Sequence, residues 1–124
     1  MTDEITVRPT EAQLRALLRG ERDVIRVAET KQAPNTTPIS EVEMDEVYDL
    51  MGVVRTIGDI NTFDRDDGEQ GRVRNIRIQD RTGDIRVALW GDETDVQMDV
   101  GDYVHVLSAE IQSGFQDKLE ASVG

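Results

Sequence analysis

Cysteine is absent from this chain of 124 residues, and histidine occurs once, at His105. Disulfides and thiolate metal sites are thereby excluded, and a lone imidazole does not anchor a transition metal, so no metal or other cofactor is expected. Aromatic residues are scarce at 4%: Tyr48, Phe63, Trp90, Tyr103 and Phe115. Long apolar runs are missing as well. The opening Met1-Thr2-Asp3-Glu4 is acidic with no apolar stretch behind it, so neither a signal peptide nor a membrane span is expected, and a cytoplasmic location is. Lysine is nearly missing: the 14 basic residues are all arginine except Lys31 and Lys118, against 26 acidic residues and a net charge of −12.

That balance speaks against a polyanionic partner, because neutralising phosphates takes cations. The same composition, acids in short clusters and arginine in place of lysine, also suits a high-salt cytoplasm. There the Debye length falls to about 3 Å and repulsion between an acidic surface and phosphate is largely screened. Local distribution is then more informative than net charge. Between Arg65 and Arg86 six arginines face five acids, Asp66, Asp67, Glu69, Asp80 and Asp84, a basic window in an acidic chain. Solvated arginines paired to neighbouring acids would give the same count.

The length fits one domain with an appendage. Thr10 with Gln13 three positions later forms a capping box, and Leu14, Leu17 and Leu18 share a face before Gly20, which predicts a short helix. From Glu21 to Thr30, Val24, Ile25 and Val27 fit a helix or a strand equally. Pro34 and Pro38 bracket Asn35-Thr36-Thr37, the chemistry of a linker. Residues 1–40 are therefore expected to be an N-terminal helical extension and linker, and residues 41–124 the folded domain.

Beyond residue 40 short apolar runs are broken by glycine and aspartate, the pattern of strands. Five are expected: Val47 to Ile57, Arg72 to Gln79, Asp84 to Trp90, Tyr103 to Ile111 and Leu119 to Val123. A polar loop from Asn61 to Gly71 separates the first two, and Arg81-Thr82-Gly83 turns the second into the third. Asp92 to Met98 has room for a short helix capped by Asp92, and a loop from Gln112 to Lys118 precedes the last strand. In that strand Leu119, Ala121 and Val123 are expected inward, with Glu120 and Ser122 outward. A mainly β chain of five strands, with a short helix between the third and fourth, matches the five-stranded OB-fold barrel, which binds oligonucleotides across strands two and three and the loops beside them.

Alternation places Ile85, Val87 and Leu89 on one face of the third strand and Arg86, Ala88 and Trp90 on the other. In the second strand Ile76 and Ile78 take the core phase, leaving Asn75, Arg77 and Gln79 beside Arg86 and Trp90. Arginines, amides and an indole converge there. Single-stranded nucleic acid is held by bases stacked on aromatic planes with cations along the phosphates. Phe63 and Phe115 fall in the two loops bordering this face, and Arg65 and Lys118 stand near them. The competing roles are structural: Trp90 as a core residue at the barrel end, Phe63 and Phe115 as plugs under their own loops. Tyr48 and Tyr103 are read as packing residues.

The stretches Arg74-Asn75-Ile76-Arg77-Ile78-Gln79-Asp80 and Thr82-Gly83-Asp84-Ile85-Arg86-Val87-Ala88-Leu89-Trp90-Gly91, with Val100-Gly101-Asp102 and Gly114-Phe115, resemble the OB domains of replication protein A, especially the haloarchaeal, halophilic ones. The resemblance spans about residue 38 to the C-terminus. It implies a single-stranded DNA-binding domain acting in DNA replication, repair and recombination without strong sequence preference. It further implies Arg86 and Trp90 as contacts on the third strand, Phe115 as a stacking residue, and Phe63 and Arg65 as contacts from the first loop. Other replication protein A subunits, or replication and repair proteins, would be partners.

Two alternatives stay open, an OB module for protein interaction or assembly and an RNA-binding OB domain, because stacking does not distinguish ribose from deoxyribose. An enzyme is not expected. A calcium loop counted from Asp64 would need glycine and glutamate where Glu69 and Asn75 stand. Two-metal chemistry needs converging carboxylates, where the outward faces carry amides and arginines.

Overall fold

β-branched residues on alternate positions give a strand one apolar face, and closing such strands into a ring buries every apolar face at once. The computed structural model describes the backbone of residues 24–27 and all of residues 36–124 apart from the side chain of Phe115. Its strands are β1 (Val24–Val27), β2 (Val47–Ile57), β3 (Asn61–Asp64), β4 (Gln70–Gln79), β5 (Asp84–Trp90), β6 (Tyr103–Ser113) and β7 (Leu119–Val123). β2 pairs antiparallel with β4 and β6, β4 with β5, and β6 with β7. A parallel β5–β7 pairing, from Arg86 opposite Glu120 to Leu89 opposite Val123, closes the ring. The result is the expected mainly β, five-stranded OB-fold barrel.

The core follows the alternation. Ile76 and Ile78 from β4, Ile85, Val87 and Leu89 from β5, and Leu50, Val54, Val104, Val106, Ile111, Ala121 and Val123 from the other ring strands are all buried. Each large aliphatic side chain contributes roughly 1.5–3 kcal/mol relative to its exposed state. Gly52 lets β2 close tightly on the end of β4, since a Cβ there would stand 2.8 Å from the Gln79 carbonyl oxygen. Tyr48 packs against the core and its hydroxyl accepts the Glu43 amide at 3.0 Å, in keeping with a packing role.

Several expectations shift. The helix expected from Thr10 to Gly20 lies outside the described residues. The ambiguous stretch after it contains β1, whose Val24 pairs with Val106 of β6. The loop expected from Asn61 to Gly71 is instead a hairpin arm: β3 pairs with the start of β4, Phe63 directly opposite Gly71. Every β3 residue is exposed, so no burial pattern announced the strand. β6 likewise runs on to Ser113, which shortens the loop before β7.

The short helix after β5 is a 3-10 turn over Gly91–Asp95, ending short of Met98. Asp92 lies inside it rather than capping it, and its carboxylate stands 3.7 Å from Arg72. Leu119 is exposed rather than inward, because β7 enters the ring there beside Ser113; Ala121 and Val123 do point in.

Residues 37–42 cross the end of the barrel. The Thr37 amide donates to the Asp49 carbonyl at 3.0 Å, and Ile39 and Val42 are buried in the core. The fastening is Asp80, at the end of the β4–β5 hairpin. One carboxylate oxygen accepts the Ile39 amide at 2.9 Å, while the other accepts the Thr82 and Gly83 amides and the Thr82 hydroxyl. Partial burial alone would raise its pKa, but the hydrogen bonds from the Thr82 hydroxyl and the three amides outweigh it and hold the carboxyl below its ordinary range.

Candidate nucleic-acid interface

The outward side chains of β4, β5 and β7 form one continuous surface. Register sets its rows: Val73 opposite Trp90; Asn75, Ala88 and Ser122 side by side; Arg77, Arg86 and Glu120 side by side; Gln79 opposite Asp84. A groove lies at each end of β5, about 20 Å apart at roughly 3.3 Å per residue.

The first groove, of about 650 Å³, is lined by Phe63, Arg65, Gln70, Gly71, Trp90 and the turn beyond it. Trp90 is 36% exposed and Phe63 40%, so both rings present surface to solvent and neither is a core plug. Their centroids are 5.9 Å apart at 84°, an edge-to-face pair. The indole Nε1 donates to Ser122 Oγ at 2.9 Å, which fixes the ring from the neighbouring strand. Gly71 is the seat of Phe63, since a Cβ there would overlap the phenyl ring. Arg65, at the tip of the arm, pairs with Asp67 at 3.0 Å. Arg72 reaches Asp95 through two hydrogen bonds of 3.0 and 3.1 Å and ties β4 to the 3-10 turn.

The second groove, of about 640 Å³, is lined by Arg77, Arg86, Lys118, Leu119 and Glu120, with Ile39 and Val42 along its edge. Arg77 Nη1 donates to Asp84 Oδ2 at 2.9 Å, and Arg86 Nη1 stands 4.0 Å from Glu120 Oε2. The Gln112 amide donates to the other Glu120 oxygen at 3.4 Å. Among the described residues Lys118 makes no ion pair.

The structure therefore gathers Phe63, Trp90 and Arg65 at one end of the face, and Arg77, Arg86 and Lys118 at the other. Asn75 lies between them and Gln79 at the margin. Phe115 begins the turn Phe115–Asp117 between β6 and β7, beside Gln116 and Lys118 of the second groove; its side chain lies outside the described part. Sequence reasoning missed Ser122, Glu120 and Gly71. Asp67-Gly68, a hairpin signal, marked the arm and hence Gly71. Nothing local marked Ser122 or Glu120, which join the face only through the parallel β5–β7 pairing. Among the described residues no group of histidine and acidic side chains is placed to hold a metal, and no helix is long and apolar enough to cross a membrane.

Comparison with known proteins agrees with this architecture. The family model described as "Replication protein A OB domain" matches residues 37–115. A replication factor A from Methanothermobacter thermautotrophicus is 30% identical over 110 residues, which cover 89% of this chain but 13% of that protein. The second OB-fold domain of replication protein A from Methanococcus maripaludis, solved in solution, superposes with a TM-score of 0.64 at 30% identity, covering 71% of this chain and 88% of that one. A replication factor A related protein from Methanobacterium thermoautotrophicum gives a TM-score of 0.66 at 26% identity, over 75% and 88%. With a closed barrel, a matching family model over most of its length and relatives alike in sequence and shape, this chain belongs to the replication protein A OB-domain family.

Proposed function

We propose that the domain binds single-stranded DNA across the outer face of β4, β5 and β7, without strong sequence preference and without catalysing a reaction. The observation that carries this reading is the exposed Trp90–Phe63 pair, held in place by Ser122 and Gly71, at one end of a face whose other end carries Arg77, Arg86 and Lys118. Aromatic planes accept any base, and cations two rows further along the same face take the phosphates. Asn75 and Gln79 add hydrogen-bonding groups between and beside them, Arg65 flanks the aromatic end, and Phe115 contributes a further stacking ring from the β6–β7 turn. Membership in the family supports replication, repair and recombination as the setting, other replication protein A subunits or replication and repair proteins as partners, and residues 41–124 as the part that binds.

Titration of labelled single-stranded DNA, duplex DNA and RNA in low and molar salt tests the assignment. Single-stranded DNA should bind most tightly. A preference for duplex would overturn the reading, and a preference for RNA would move it to RNA. Trp90 is the chain's one tryptophan, so its fluorescence reports directly on the proposed stacking surface.

A further inference from the structure

Each arginine of the proposed site already stands beside a carboxylate: Arg65 with Asp67 at 3.0 Å, Arg77 with Asp84 at 2.9 Å and Arg86 with Glu120 at 4.0 Å. The Arg77 and Asp84 side chains are 37% and 53% exposed, and such surface pairs hold weakly; Glu120 is more enclosed at 17%, but its 4.0 Å separation from Arg86 makes that contact the looser one. A phosphate arriving in the second groove therefore meets no free guanidinium and must take one from a loosely held acid.

We propose that single-stranded DNA binds this face by exchange: phosphates displace Asp84 and Glu120 from Arg77 and Arg86, and the two freed carboxylates take up cations from solution. The inference rests on the single-stranded DNA reading and says what governs that site. Its consequence is a salt dependence unlike that of a basic groove. Each neutralised phosphate releases about 0.7 of a cation from a single strand. Each freed carboxylate recovers part of a cation in return, so the two terms oppose and affinity falls less steeply as salt rises. Asp84 and Glu120 are the residues that set this tolerance. They lie in the arginine row and at its margin, on the binding face itself, rather than merely contributing to the net charge of −12. Lys118, unpaired among the described residues, binds phosphate in the ordinary way.

The test is a double-mutant cycle on the whole chain, using a fluorescein-labelled deoxythymidine oligonucleotide at potassium chloride concentrations from 0.1 to about 2 M. Asp84→Asn should bind about two- to fivefold more tightly than wild type at the low end, the strength of the pair it removes. Its slope of log affinity against log salt should steepen by up to about 0.7, so that the two curves converge at high salt. Glu120→Gln should behave alike and provides the second reading should one variant misfold. In an Arg77→Gln background the gain from Asp84→Asn should vanish, because no cation is left to release. Persistence of the gain in that background would show simple repulsion by the acid and overturn exchange, as would a wild-type slope as steep as that of Asp84→Asn. Failure of the wild type to bind the oligonucleotide at any salt would instead remove the single-stranded DNA reading, and exchange with it.

Discussion

At the Trp90 end of the outer face the two aromatic rings are fixed by packing and one neutral hydrogen bond, whereas at the Arg86 end the arginines are fixed by opposite charges. The aromatic end is a preformed solid surface: Phe63 fills the space over Gly71, and the indole is pinned to Ser122. A base gains contact area there without first breaking anything. The charged end is preformed too, but in competing pairs that a ligand must reopen. Affinity from the two rings is insensitive to salt because it depends on contact area. Affinity from the charged end is set by the difference between two electrostatic exchanges.

The comparison breaks most visibly at Trp90. Trp90→Ala should weaken single-stranded DNA binding by about 1–3 kcal/mol, the usual loss for a stacking aromatic, and by the same factor at low and high salt. The ring is partly exposed and outside the core, so the variant should stay folded with a modest fall in melting temperature; a binding loss confined to low salt would place the stacking elsewhere. Asp80→Ala acts next most strongly, and at the other end. It removes the acceptor that fastens Ile39 and Thr82, and should cost about 1–2 kcal/mol of stability after allowing for screening at a partly exposed group. Because the folded carboxyl titrates below its unfolded value of 3.8, its stabilisation is complete above that value and disappears as pH falls through the lowered folded pKa. Urea unfolding at neutral and strongly acid pH checks this: wild type and variant should differ at neutral pH and converge in acid.

Smaller effects sharpen the contrast. Lys118→Gln should lower the salt slope by about 0.7, whereas Arg86→Gln, which removes an already paired cation, should weaken binding with little change of slope. Equal slope changes for the two would erase the distinction between free and paired cations. Ser122→Ala should have the least effect, about 0.5–1.5 kcal/mol on binding at most. Its readout is Trp90 emission, altered in the free protein once the indole loses its partner.

The inward phase of β4 and β5 was legible because Ile76, Ile78, Ile85, Val87 and Leu89 alternate with polar residues, and the outward phase followed, bringing Arg77, Arg86 and Trp90 together. Ala88 fits that phase yet is nearly fully buried, since Asn75 and Ser122 flank it on both sides. What stayed hidden shares a physical cause. The exposed arm β3 carries no burial pattern, and Leu119 kept an inward expectation that only its position at the barrel mouth cancels. Ser122 and Glu120 owe their place to a pairing between strands distant in sequence, and residue spacing along one strand carries no information about such a partner. The fastening of Ile39 by Asp80 is hidden for the same reason.

The parallel closure of β5 against β7 also ties recognition to cooperativity. Trp90 and its anchor Ser122, like Arg86 and Glu120, sit on opposite sides of that seam. A chain in which the seam is open has neither the pinned indole nor the carboxylate row, so the competent surface exists only in the fully closed barrel. By mass action an oligonucleotide at one hundred times its Kd then shifts the global unfolding equilibrium by roughly 2.7 kcal/mol. Amide protons throughout the ring, including those of β2 and β6 far from the ligand, should slow their exchange together, as though the nucleic acid were a sixth stave hooping the other five.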